Sequence, residues 1–183
     1  MALALARTNA EAHLYMDLHP CPCGEVVFDR QSAVVEAQGD LATHYAGPCS
    51  RCGTQREFLF RLPAEVLAPA VGQVQFGGAE PSELLDPGEW LWVSDAYASR
   101  GPADVTGLGA GEREDSANDL ATAAAAIGEA LKFVPAGAEA VPESAFWSER
   151  GRAVRAEEPG RFRVSRLEAV RDAYRQLYAA ASS

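Results

Sequence analysis

An α+β fold follows from three features of the chain: two short cysteine pairs that bracket a β-rich stretch, a proline- and glycine-rich stretch after it, and helix-periodic patterning beyond. The expected architecture is a small antiparallel β-sheet clamped by the cysteines, followed by a mainly helical C-terminal part. The expected organisation is an N-terminal helix plus β module over residues 1–63, a linker or irregular loop over 64–83, and a helical region over 84–183.

Thr8-Asn9-Ala10-Glu11 reads as a capping box, in which the hydroxyl and the carboxylate satisfy backbone donors reciprocally. A short helix from Asn9 to Asp17 should follow, and His19-Pro20 should end it, because the residue before proline disfavours helix. Short β-rich runs come next: Val26 to Phe28, Ser32 to Ala37, Leu41 to Ala46 and Arg56 to Leu62, with Gly39-Asp40 as a hairpin turn. Three or four antiparallel strands result. The two-residue period puts Phe58 and Phe60 on one face, Leu59 and Arg61 on the other. Residues 63–82 carry three prolines and three glycines and read as a loop, with one strand over Val71 to Phe76.

Helical signals dominate the rest. Asp86-Pro87-Gly88-Glu89 supplies an N-cap, a proline at the first helical position and an acid at the third, with Trp90, Val93 and Tyr97 as an apolar stripe. Leu120, Ala124, Ile127 and Leu131 mark a helix from Ser116 to Phe133, which Pro135 bars from continuing. A shorter helix spans Phe146 to Glu157. Ser165-Arg166-Leu167-Glu168 opens a final one, with Leu167, Val170, Tyr174, Leu177 and Tyr178 along one side.

Cys21-Pro22-Cys23-Gly24 and Cys49-Ser50-Arg51-Cys52-Gly53 are separated by 25 residues, and each ends in glycine. Zinc favours four thiolates in a tetrahedron, so a chain must bring two tight turns together to hold it. Glycine after the last cysteine permits a left-handed backbone and frees amides for the sulfurs. Two disulfides, or four buried thiols, are the alternative. Iron–sulfur ligation would require an electron-transfer partner that nothing else in the chain suggests. Residues 21–62 resemble a zinc ribbon, with Cys49-Ser50-Arg51-Cys52-Gly53 matching the knuckle pattern and the first pair carrying one intervening residue rather than two. The resemblance implies a structural Zn2+ on Cys21, Cys23, Cys49 and Cys52. His19 and His44 are candidates for ligation or for hydrogen bonds to those ligands.

Other chemistry finds less support. Pro48-Cys49-Ser50-Arg51-Cys52 matches half of a zinc-deaminase signature, but His13, His19 and His44 are followed two positions later by Tyr15, Cys21 and Ala46, so the required His-x-Glu is missing. Gly107-Leu108-Gly109-Ala110-Gly111 lacks a preceding strand and a following Gly-Lys-Ser/Thr, and reads as a loop. No Gly-x-Ser-x-Gly elbow occurs, and no catalytic set is expected.

The net charge of −10 is uneven: 5 basic against 7 acidic residues in 1–63, 3 against 14 in 64–143, and 8 against 5 in 144–183. An acidic field repels phosphate backbones and attracts a basic protein. Trp90 and Trp92 cannot both face inward on one helix, which makes Trp90, Trp92 and Trp147 candidate interface residues. The arginines at 150, 152, 155, 161, 163 and 166 are expected to dock acids of the middle segment. No apolar run reaches the length of a membrane-spanning helix, and the start MALALARTNAE has no basic leader, so a cytoplasmic, unprocessed protein is expected. The function these features imply is a non-enzymatic, zinc-stabilised protein-binding module, an adaptor or an immunity protein with a basic partner. A nucleic-acid-associated zinc-ribbon protein, with Arg51, Arg56 and the C-terminal arginines as contacts, is the first alternative, and a metalloenzyme with an open zinc site the second.

Overall fold

A computed structural model of the chain describes residues 3–65, 74–101 and 109–182. These residues fall into two compact units. The first holds the N-terminal residues with Phe76–Gly78 and Ser82–Leu84, and the second holds Ala79–Pro81 and Leu85 onward. Together they form a three-stranded antiparallel sheet followed by a mostly helical C-terminal part, an α+β fold.

In the first unit, helix α1 (Asn9–Leu18) starts at Thr8, whose hydroxyl accepts the Glu11 amide at 3.1 Å. The expected reciprocal half of that capping box is redirected. The Glu11 carboxylate takes the Arg7 amide at 2.8 Å, the Arg7 guanidinium at 2.6 Å and the Ser82 hydroxyl at 2.6 Å. Glu11 is fully buried, so these bonds replace the water it lost. A Cβ at Gly77 would lie 2.4 Å from the Arg7 guanidinium carbon, so a larger residue there would have to displace the guanidinium that Glu11 holds.

Strands β1 (Gln31–Ala37), β2 (Asp40–Pro48) and β3 (Gln55–Arg61) pair in chain order. The hairpin turn is Gln38–Gly39, one residue before the expected position. Both residues have positive φ, 57° and 90°, as a type I′ turn demands. Phe58 and Phe60 share a face, as the strand period predicts, and the Tyr15 ring of α1 meets them edge-on at 6.3 and 5.5 Å. The expected first run, Val26 to Phe28, forms no strand. Glu25 accepts the Val26 and Val27 amides at 3.0 and 3.1 Å, and only Phe28 makes a bridge, to Cys49. Part of the expected strand over Val71 to Phe76 lies outside the described residues, as do Gly107 and Leu108 of the glycine-rich loop.

In the second unit, α2 (Pro87–Ala98) has the N-cap read from the sequence, with Asp86 accepting the Gly88 and Glu89 amides, and Glu89 accepts the Asp86 amide at 3.2 Å to complete a capping box. Helix α3 (Ala110–Leu131) begins six residues earlier than its apolar stripe suggested. Its first turns are exposed and acidic, so periodicity could not report them. Helix α4 (Glu149–Glu157) follows a 3-10 turn over Glu143–Ala145. Helix α5 (Val164–Ala181) starts ahead of the expected Ser165 cap. The Val164 amide reaches the Glu139 carbonyl at 2.8 Å, and a bridge between Ala140 and Arg163 fixes where the chain turns into the helix. Leu91, Ile127, Val141, Phe146, Phe162 and Leu167 form this unit's core. Among the described residues no helix is long and apolar enough to cross a membrane.

Candidate metal centre

The four cysteine sulfurs lie within 4.8 Å of one another, and among the described residues they are the group placed to hold a metal ion. The Cys21 and Cys52 sulfurs are 3.5 Å apart, and those of Cys23 and Cys49 are 3.6 Å apart. A disulfide would need about 2.05 Å. A tetrahedron of thiolates at a Zn–S distance of about 2.3 Å has an edge of about 3.8 Å, so the spacing suits coordination and not cross-linking. Cys21 and Cys49 are buried, while Cys52 is exposed.

Each pair is held by a tight turn. The Gly24 amide bonds to the Cys21 carbonyl at 2.7 Å, and the Gly53 amide to the Cys49 carbonyl at 2.9 Å. Gly24 and Gly53 have φ of 85° and 73°, the left-handed region that lets each turn close. The Cys21 amide reaches the Glu25 carbonyl and the Cys49 amide the Thr54 carbonyl, which fixes the base of both loops. The second pair is itself the connection between β2 and β3, and the first hangs from the end of α1.

Two arginines brace the centre, and sequence reasoning had not given either this task. Arg51 donates to the Cys23 carbonyl at 3.2 Å and pairs with Glu25 at 3.2 Å, so it ties one cysteine turn to the other. Arg56 is buried, and its guanidinium donates to the carbonyls of Val26, Met16 and His19 while lying 4.5 Å over the Phe28 ring. A signal existed for Arg51, since it sits inside the Cys-x-x-Cys spacing. Arg56 carried none, because nothing local distinguishes a buried strand arginine from an exposed one.

The surroundings also separate the thiols by acidity. At Cys52 the Thr54 hydroxyl, 3.3 Å from the sulfur, and the Thr54 amide favour the thiolate and bring it down to about 6. The amides of Cys52 and Arg51 lower Cys49 in the same way. At Cys23 the Glu25 amide also favours the anion, yet desolvation and the three neighbouring sulfurs outweigh it and push the thiol up to about 12. Four anions cannot share so small a volume unless a cation sits among them.

His19 and His44 have their contacts elsewhere. His19 caps α1, bonds the Tyr15 carbonyl through Nδ1 at 2.8 Å and stacks on the Tyr15 ring. His44 lies on β2 and faces Glu57 at 4.0 Å. Trp90 is fully buried, whereas Trp92 and Trp147 are 42% and 44% exposed. Arg150 lies 4.9 Å over Trp92, and Phe133 sits 5.8 Å from Trp147. Three of the C-terminal arginines meet middle-segment acids: Arg161 grips Asp95 with both nitrogens, Arg155 meets Glu143, and Arg150 meets Glu89.

No family model matches the chain, and no curated protein or solved structure is significantly similar to it.

Proposed function

We propose that Cys21, Cys23, Cys49 and Cys52 bind one structural Zn2+, and that the protein is a non-enzymatic, zinc-stabilised binding module for a basic protein partner. The observation that carries the metal reading is the sulfur cluster itself, with two edges close to those of a zinc tetrathiolate and amide donors aimed at the sulfurs. A shell closed by four thiolates leaves no position for a reacting water, which favours a scaffold over a metalloenzyme. The zinc-ribbon likeness rests on the same residues.

The partner reading rests on surface chemistry. Glu112, Glu114 and Asp115 are exposed on the first turns of α3, and Trp92 and Trp147 offer exposed aromatic area. Arg56, which a nucleic-acid contact would need at the surface, is spent on carbonyls inside the first unit. Adaptor and immunity roles both fit this surface, in the cytoplasm.

Elemental analysis of the purified protein by mass spectrometry is the first test. One zinc per chain is expected, with Cys49→Ser losing it. Iron in its place, or no metal bound by the intact cysteines, would overturn the metal reading. Affinity copurification from the native organism then tests the partner: a basic protein released by salt supports the reading, and an acidic or nucleic-acid partner refutes it.

A further inference from the structure

We infer that β1 is a self-complementary sheet edge through which two copies of this chain join into one continuous six-stranded sheet. Among the described residues, strand β1 pairs with β2 alone in the three-stranded sheet, and its residues are exposed or half-buried throughout. Monomeric proteins blunt such edges with lysine, proline or a bulge. Gln31–Ala37 contains no proline and no lysine, its one charge is Glu36, and its pairing with β2 runs without interruption. Val34 is 64% exposed.

The direction of each backbone group follows from the turn. A type I′ turn at Gln38–Gly39 closes on a hydrogen-bonded pair, here Ala37 and Asp40, and every second pair along the hairpin repeats that state. Ala33, Val35 and Ala37 therefore point their N–H and C=O groups at β2, and Ser32, Val34 and Glu36 point theirs outward; at the start of the strand the Gln31 amide instead bonds the Asp29 carbonyl at 3.0 Å. Two bonds elsewhere agree. The Leu41 carbonyl, opposite Glu36, bonds the Leu62 amide and so turns away from β1, and the Asp29 amide reaches the Pro48 carbonyl in phase with the odd-numbered residues.

A second copy fits this edge in one antiparallel register centred on Val34. Val34 then faces Val34 of the other copy, and Ser32 faces Glu36 in both directions. Each of these pairs is of the hydrogen-bonded type, so the outward groups are satisfied reciprocally. The single charge meets a hydroxyl rather than a like charge, and the exposed valines cover each other. Residues 1–63 carry 5 basic and 7 acidic residues, a net of −2, so the acidic excess of the protein is carried outside the segment that bears this edge. An interface of one short strand is below the standard size, which sets a weak, concentration-dependent dimer.

Sedimentation and hydrogen exchange on the full, metal-loaded chain test this. The wild type should pass from monomer to dimer with concentration, and the amides of Ser32, Val34 and Glu36 should gain protection as it does, while those of Ala33 and Val35 are protected throughout. Val34→Lys sets two like charges face to face and should weaken the dimer by roughly tenfold or more. Ser32→Lys places a cation opposite Glu36 twice and should tighten it by roughly 2- to 30-fold. Circular dichroism and metal content confirm that both variants fold, and the Ser32 variant carries the test should the Val34 variant fail. A chain that stays monomeric to about 1 mM, outward amides indifferent to concentration, or a dimer that neither substitution changes in the stated direction would overturn the inference. Metal content is read separately, so its result bears on the zinc reading and not on this one.

Discussion

Replacing Arg56 with methionine removes the charged fork and keeps most of the side-chain volume, so it isolates what the guanidinium contributes. In the wild type it donates to Met16 O at 3.3 Å in a buried setting, to Val26 O at 2.9 Å and to His19 O in half-buried ones. A hydrogen bond from a charged donor contributes about 1.5–3 kcal/mol when buried, and about 1 kcal/mol is a fair figure where water can replace it. The three sum to about 3–5 kcal/mol. Methionine still packs on Phe28 and Phe58, which returns about 1 kcal/mol of sulfur–aromatic contact in place of the cation–π pairs at 4.5 and 5.1 Å. The net expected loss is about 2–4 kcal/mol, a large share of a typical domain stability of about 5–15 kcal/mol. Urea unfolding of the metal-loaded chain, followed by circular dichroism, reads it. Arg56→Lys should lose nearly as much, because an ammonium cannot reach three carbonyls and lie flat on a ring. A change below about 0.5 kcal/mol, the ordinary range for a surface site, would refute the reasoning and return Arg56 to the list of possible ligand contacts.

Three other outcomes are expected. Asp86→Ala should destabilise the second unit by about 2–4 kcal/mol, since the buried carboxylate caps α2 and also takes the Ser148 amide, the N-cap residue of α4, at 2.8 Å; thermal unfolding checks it, and Asp86→Asn should cost less. Gly47→Ala should unfold the first unit or strip its metal, because a Cβ would lie 1.6 Å from the Asp29 carbonyl oxygen, a backbone atom that cannot move aside cheaply; elemental analysis and circular dichroism report both effects. Burial, then the nearby Arg30, hold His13 below its ordinary value, against the opposing pull of Asp17. The unfolded chain therefore binds the proton more readily, and stability should fall as pH drops through about 6.5, a slope that His13→Gln should flatten when melting temperature is followed from pH 8 downward.

The cysteine cluster and the strands were legible because their signals are local. Glycine after each pair, alternation through Phe58 and Phe60, and Asp86-Pro87-Gly88-Glu89 each encode their own geometry within a few residues. What escaped depends on partners distant in sequence. Glu11 looked like half of a capping box until Arg7 and Ser82 claimed it. Ser165 looked like a cap, but the bridge of Ala140 to Arg163 starts α5 earlier. The first turns of α3 were hidden for the opposite reason: an exposed acidic helix needs no apolar period, so nothing in the pattern announces it.

The two cysteine turns are joined twice, and by different chemistry. The sulfurs meet on one side, while Arg51 links the second turn to the Cys23 carbonyl and to Glu25 on the other. Arg56, at the start of β3, reaches back to the end of α1 through Met16 and His19. Apart from Phe28, the segment between α1 and β1 buries little large apolar surface of its own, with Val26 and Val27 37% and 56% exposed. A chain with so little local core must be positioned by directional bonds instead, and a single ion that engages Cys21 and Cys23 at one end and Cys49 and Cys52 at the other fixes four points at once. Cys52 is exposed whereas Cys21 and Cys49 are buried, so an ion held by the four sulfurs would have one ligand at the surface of the unit. On the reading proposed above, such an ion would act by tying the two turns together, the task that Arg51 and Arg56 share from the other side.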